Sequence, residues 1–76
     1  MKSWNPCKRN DFISKLKALG FKGPYAGAKH QFMIYGQHRL SIPSNKEYSI
    51  PQIKMMIAEI VLITDRDISP ELWNNL

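Results

Sequence analysis

Cys7 is the only cysteine among 76 residues, and His30 and His38 are the only histidines. The chain therefore cannot build an internal disulfide framework, and it has too few soft ligands for a structural zinc site. A chain of this length buries only roughly 60% of the surface its unfolded form exposes. One thin apolar core must hold the fold without a staple, which leaves little room for a large catalytic cleft. Residues 1–76 read as a single domain, with its core over about 8–63 and a C-terminal helical extension over about 69–76. No apolar run approaches the roughly 20 residues that span a bilayer. The opening MKSWNPCKRND contains no apolar segment of the signal-peptide kind. The expectation is a soluble, unprocessed, cytoplasmic protein with no membrane partner, no metal and no other cofactor.

Charge is distributed unevenly. Residues 1–46 carry nine basic side chains against Asp11, a net +8, whereas residues 47–76 carry Lys54 and Arg66 against five acids, a net −3, so the whole chain stands at +5. A basic half of this kind attracts polyanions, of which nucleic acid is the commonest in a cytoplasm. Solubility alone accounts for some surplus lysine, and the asymmetry favours nucleic acid over that simpler explanation.

Hydrophobic spacing places the elements. Phe12, Leu16 and Leu19, with Ile13 beside them, recur at helical intervals, and Gly20 follows where a helix commonly ends in the left-handed conformation. Lys15 and Lys17 fall on the other side of this first helix, which is expected to be exposed and basic. FKGPY, interrupted by Gly-Pro, suits an edge strand because proline cannot donate to a central ladder. QFMIY and RLSI then form a hairpin. A three-residue loop of Gly36, Gln37 and His38 would set Ile34 opposite Leu40 and Phe32 opposite Ile42, placing all four on one buried face and leaving Met33 and Tyr35 on the other, with apolar surface for water or a partner to meet. After the polar loop SNKEY, Ser49 and Gln52 have capping-box spacing, Pro51 is tolerated in the first turn, and Ile53, Met56, Ile57 and Ile60 mark a second helix. Ser69 and Pro70 repeat that signature ahead of Leu72 and Trp73. Trp4 and Trp73 are expected to cover the thin core. The predicted fold is α+β: a helix, a three-stranded antiparallel sheet, a helix and a short C-terminal helix, with the helices on one face of the sheet.

FISKLKALGF, GAKHQFM, LSIPSN and ISPELW, in that order and spacing, resemble the HicA family of bacterial toxins, also called YcfA-like proteins. The similarity runs from about Lys8 to Trp73. It implies a fold like the double-stranded-RNA-binding domain, a metal-independent endoribonuclease (mRNA interferase) activity of a toxin-antitoxin system, mRNA as substrate, and a HicB-like antitoxin as protein partner. The family's central motif is a glycine, usually a serine, a variable residue and a catalytic histidine, which falls here on Gly27, Ala28, Lys29 and His30. Ala28 therefore stands where serine is usual. VLITDRD also departs from the shorter glycine-containing turn that the family uses before its terminal helix.

The chemistry is coherent on its own terms. The 2′-hydroxyl of RNA attacks the adjacent phosphorus once a base removes its proton, and imidazole is the side chain that titrates near neutrality. A cation must then stabilise the phosphorane, and Lys29 is the nearest in sequence, with Lys15, Lys17 and Lys46 available to follow flanking phosphates. His38 sits in the hairpin loop and is given a surface role. Cys7 has no recognisable partner and is read as an incidental or buried thiol. A lone histidine at a strand start is more often simply a half-exposed polar residue, so three readings stand. They are an endoribonuclease with His30 as general base, a non-catalytic RNA-binding module of the same fold, and a protein-binding domain for an acidic partner.

Overall fold

The computed structural model describes residues 3–76; Lys2, counted in the basic half, lies outside them. In chain order the elements are β1 (Cys7–Lys8), α1 (Arg9–Leu19), β2 (Lys22–Tyr25), β3 (Gln31–Tyr35), β4 (His38–Ile42), β5 (Glu47–Tyr48), α2 (Ile50–Thr64) and α3 (Pro70–Asn74). The main sheet is antiparallel in the order β2-β3-β4, and a separate two-residue ladder joins β1 to β5. The architecture is α+β in the helix, three strands, helix order that the sequence predicts, with the short terminal helix in place. Among the described residues no helix is long and apolar enough to cross a membrane.

Local signals fix the helix ends. Gly20 adopts φ 111°, its N–H bonds Lys17 O, and the next N–H, from Phe21, bonds Leu16 O at 3.0 Å. This pair of bonds is the Schellman arrangement, which needs a residue without a Cβ penalty at positive φ. It delivers Phe21 into the core. Ser49 Oγ accepts from Gln52 N at 3.4 Å and Ser69 Oγ from Leu72 N at 3.1 Å. Only half of the expected capping box forms at α2, because the Gln52 amide turns to Asn45 Oδ1 instead of back to Ser49.

The hairpin differs from expectation. Tyr35 pairs with His38, Ile34 with Arg39, Met33 with Leu40, Phe32 with Ser41 and Gln31 with Ile42, so the loop is two residues, Gly36 and Gln37. Gly36 takes φ 60° while Gln37 stays at negative φ, as a type II′ turn requires. Met33, not Phe32 or Ile34, is therefore the β3 residue that enters the core, fully buried with Leu40 and Ile42. Tyr35 lies half-buried on the same side, its ring 5.1 Å from Phe21. The open face carries Phe32 and Ile34 instead, and the apolar surface predicted for Met33 and Tyr35 is absent. The three-residue loop does not form, because QFMIY offers apolar side chains at successive positions and alternation cannot choose between its two faces. The turn chooses.

α1 supplies Phe12, Ile13, Leu16 and Leu19 to the core, and α2 supplies Ile53, Met56, Ile57 and Ile60. Tyr48, read from sequence as part of a polar loop, is fully buried beneath α1, edge-on to Phe12 with ring centroids 5.2 Å apart. Trp73 closes the other side of Phe12 at 5.0 Å, and Trp4 packs on the cluster half-buried. Both tryptophans cover the core as anticipated.

The observed register makes a mutational ordering. Met33→Ala should destabilise the protein by about 2–5 kcal/mol, the usual range for truncating a buried methionine, whereas Ile34→Ala should cost less than about 1.5 kcal/mol because its site is only partly enclosed. Urea unfolding of the two variants checks this; a larger loss for Ile34→Ala would return the hairpin to the three-residue loop.

Candidate functional site

The segment that leads into β3 is shaped by Gly27. A Cβ there would lie well inside contact distance of the His30 carbonyl oxygen and also 3.3 Å from the Phe32 ring. The chain folds back on itself at this point only because residue 27 has no side chain. The result is a bend over residues 28–30 in which Ala28, Lys29 and His30 are all exposed.

Opposite this bend, Arg9 ties three segments together. Its backbone N–H bonds Lys46 O at 2.9 Å, its Nε donates to Pro43 O at 3.2 Å, and its Nη2 donates to Gln31 Oε1. The Tyr48 hydroxyl donates to the same Pro43 carbonyl at 2.6 Å. Burial raises the Tyr48 phenol above its ordinary range, against an opposing influence from Arg9, so it remains a donor. The first turn of α1, the entry to β3 and the 43–46 loop are thereby fixed around a common groove.

That groove, about 590 Å³, is lined by Lys8, Arg9, Asn10, Lys29, His30, Gln31, Ile42, Ser44 and Lys46. Four of its walls are cationic, one is an imidazole and none is a carboxylate. α1 opens into it without a side-chain cap, since the cap position is Lys8, and the partial positive charge of a helix N-terminus adds to the same field. The arrangement suits a phosphate chain better than a neutral ligand.

The structure brings together Lys29, His30 and Lys46, with Gly27 and Ala28 adjoining them. It separates Lys15 and Lys17. Lys15 Nζ donates to Trp73 O at 2.9 Å and lies 5.7 Å from the Trp73 ring centroid, in a second groove that shares only Lys8 with the first. Lys17 is exposed but lines neither groove. Lys8 and Arg9 were missed as site residues. Their signal was their position at the start of the first helix, legible only once that terminus is known to face His30. Ser44 likewise brings a hydroxyl to the groove, although residue 28 has none.

Other titratable groups stand apart. His38 opens β4 opposite Tyr35, at the far end of the hairpin, about 13 Å along the strands from the entry to β3. Cys7 donates to Lys8 O at 3.4 Å, and burial, reinforced by Asp11, raises its thiol above the ordinary value of 9.0. A thiol held protonated is a poor nucleophile. Among the described residues no three of His, Cys, Asp and Glu lie together where they could hold a metal ion.

The division of cations predicts unequal mutations. If the groove holds an RNA backbone, Lys8→Glu combined with Lys46→Glu weakens binding of single-stranded RNA about tenfold or more at physiological ionic strength, where charges beyond about 8 Å are largely screened. Lys17→Glu should change it less than about twofold. Fluorescence anisotropy with a labelled oligonucleotide makes the comparison, and equal losses would mean that the groove is not where phosphates bind. No family model, no curated protein and no solved structure matches this chain, so a functional reading rests on these residues themselves.

Proposed function

We propose that this protein is a metal-independent endoribonuclease of the HicA kind, acting on mRNA in the cytoplasm as the toxin of a toxin-antitoxin pair. One observation carries the reading: the exposed imidazole of His30 shares a groove with Lys8, Arg9, Lys29 and Lys46 and with no acidic side chain. A phosphate seated there is surrounded by cations. His30 takes the proton from the 2′-hydroxyl as that oxygen attacks phosphorus, the bond from phosphorus to the 5′-oxygen breaks, and a 2′,3′-cyclic phosphate is left on one fragment. The proton accepted by the imidazole returns to the departing 5′-oxygen, through water or directly, giving the other fragment a 5′-hydroxyl. Lys29 and Lys46 stabilise the extra negative charge of the phosphorane, and Lys8 and Arg9 hold the flanking phosphate.

A second reading keeps the groove and removes the chemistry. Ala28 presents a methyl where the resembled motif usually carries a hydroxyl, which favours a non-catalytic RNA-binding module. A cell that makes an active ribonuclease also needs a restraint, and a HicB-like antitoxin covering His30 is the partner that the ribonuclease reading calls for. The basic surface steers such a partner if it is acidic.

Purified protein should cleave single-stranded RNA in the presence of EDTA, and His30→Ala should lower the rate by roughly 100-fold or more, the scale of general-base catalysis, with circular dichroism and thermal unfolding unchanged. Undiminished cleavage by the variant removes His30 from the chemistry. RNA binding with no cleavage by the native protein selects the module. Expression of the chain alone should slow bacterial growth, and co-expression of a neighbouring reading frame should relieve it.

A further inference from the structure

The helices cover one face of the three-stranded sheet. The other face presents Lys22, Tyr25, Phe32, Ile34, Arg39 and Ser41, brought side by side by the pairing of Lys22 with Ile34, Tyr25 with Phe32, Phe32 with Ser41 and Ile34 with Arg39. Tyr25 is 44% exposed and its ring is 5.7 Å from that of Phe32, tilted by 39°. The Arg39 guanidinium lies over the other part of this cluster, 4.4 Å from the Phe32 centroid. Both charged residues on the face are cations. A shallow depression bordered by the Gly27–His30 bend, Phe32, Arg39 and Ser41 runs up to the same His30 that lines the basic groove.

We propose that this face is a stacking platform for an unpaired nucleobase of the RNA whose phosphate lies at His30, with the Tyr25 ring and the Arg39 guanidinium as the planar groups that receive it. The inference rests on the reading of the groove as an RNA site and specifies which part of the substrate meets the sheet. His30 ends the bend directly before β3, Phe32 is the second residue of that strand, and both border the same shallow depression, so one nucleotide can reach both. Aromatic rings and arginine planes hold bases by their π-faces without reading sequence. A single-stranded substrate follows, since a paired base keeps its faces inside the duplex. The choice of RNA over a protein occupant follows from charge: the face has two cations and no acid, and it continues into the cationic groove.

The test uses native protein and a short 2′-O-methyl oligonucleotide, which cannot be cut by attack of its own 2′-oxygen, beside an abasic oligonucleotide of equal length and charge. Tyr25→Ala should weaken binding of the base-bearing strand about tenfold and of the abasic strand by less than about twofold. Tyr25→Trp should retain the base-bearing affinity, which separates stacking from any folding defect. Equal loss on both strands, or no loss on either, overturns the platform, as does a Tyr25→Ala protein that keeps oligonucleotide affinity but loses binding to a co-expressed protein partner. Cleavage of unmodified RNA is scored separately. Base-dependent binding without cleavage upholds the platform and rejects the ribonuclease, and cleavage without base-dependent binding does the reverse.

Discussion

The two-residue turn at Gly36 and Gln37 decides which side of β3 faces the helices, and much of the molecule follows from that choice. With Tyr35 opposite His38, side-chain alternation sends Met33 inward to Leu40 and turns Phe32 and Ile34 outward. A slip by one residue would exchange those sets. It would bury Phe32 beneath the helices, and Tyr25 and Arg39 would lose the ring they flank on the open face. Because β3 begins directly after His30, the same register also determines what surface continues from the imidazole.

A second constraint holds the other wall. Arg9 and Tyr48 both donate to the Pro43 carbonyl, and Arg9 also reaches Gln31 and, through its backbone, Lys46. These bonds place a helix start, a strand start and a loop within one groove although they lie far apart in sequence. They also gather Lys8, Arg9, Lys29 and Lys46 around one space, where like charges repel. That repulsion is modest at exposed positions and in salt, and a bound polyanion would reverse its sign. The groove is thus better matched to a phosphate chain than to the empty state.

Whatever depends on neighbours in sequence was legible. α1, its stop at Gly20, the caps at Ser49 and Ser69 and the edge position of the Gly-Pro strand all follow from residues within a few positions of each other. What depends on distant pairing was less so. The consecutive apolar residues of QFMIY leave its inward face undetermined until the turn is known. Tyr48 sits among polar residues, and only the ladder between Cys7 and Tyr48, forty-one positions apart in the chain, reveals it as a core residue. The site divides in the same way. His30 and Lys29 were found in a local motif, and Gly27 has a physical reason for being glycine. Lys8 and Arg9 join them only through the tertiary position of α1, and Lys15, grouped with the site by its charge, is instead held at Trp73 by contacts with the far end of the chain.

The proposed reaction is proton transfer by a single imidazole beside a phosphate held by lysines and arginine, with the substrate's own 2′-oxygen as nucleophile. That chemistry leaves its mark on the product. The most direct measurement is the identity of the new ends, read by mass spectrometry of a defined oligoribonucleotide after incubation with the purified protein. The account predicts a 2′,3′-cyclic phosphate, or the 2′- or 3′-phosphate formed by its later hydrolysis, opposite a 5′-hydroxyl, and no cut at a position carrying a single 2′-deoxy substitution. A 3′-hydroxyl opposite a 5′-phosphate, or cleavage that continues at the deoxy position, would contradict it.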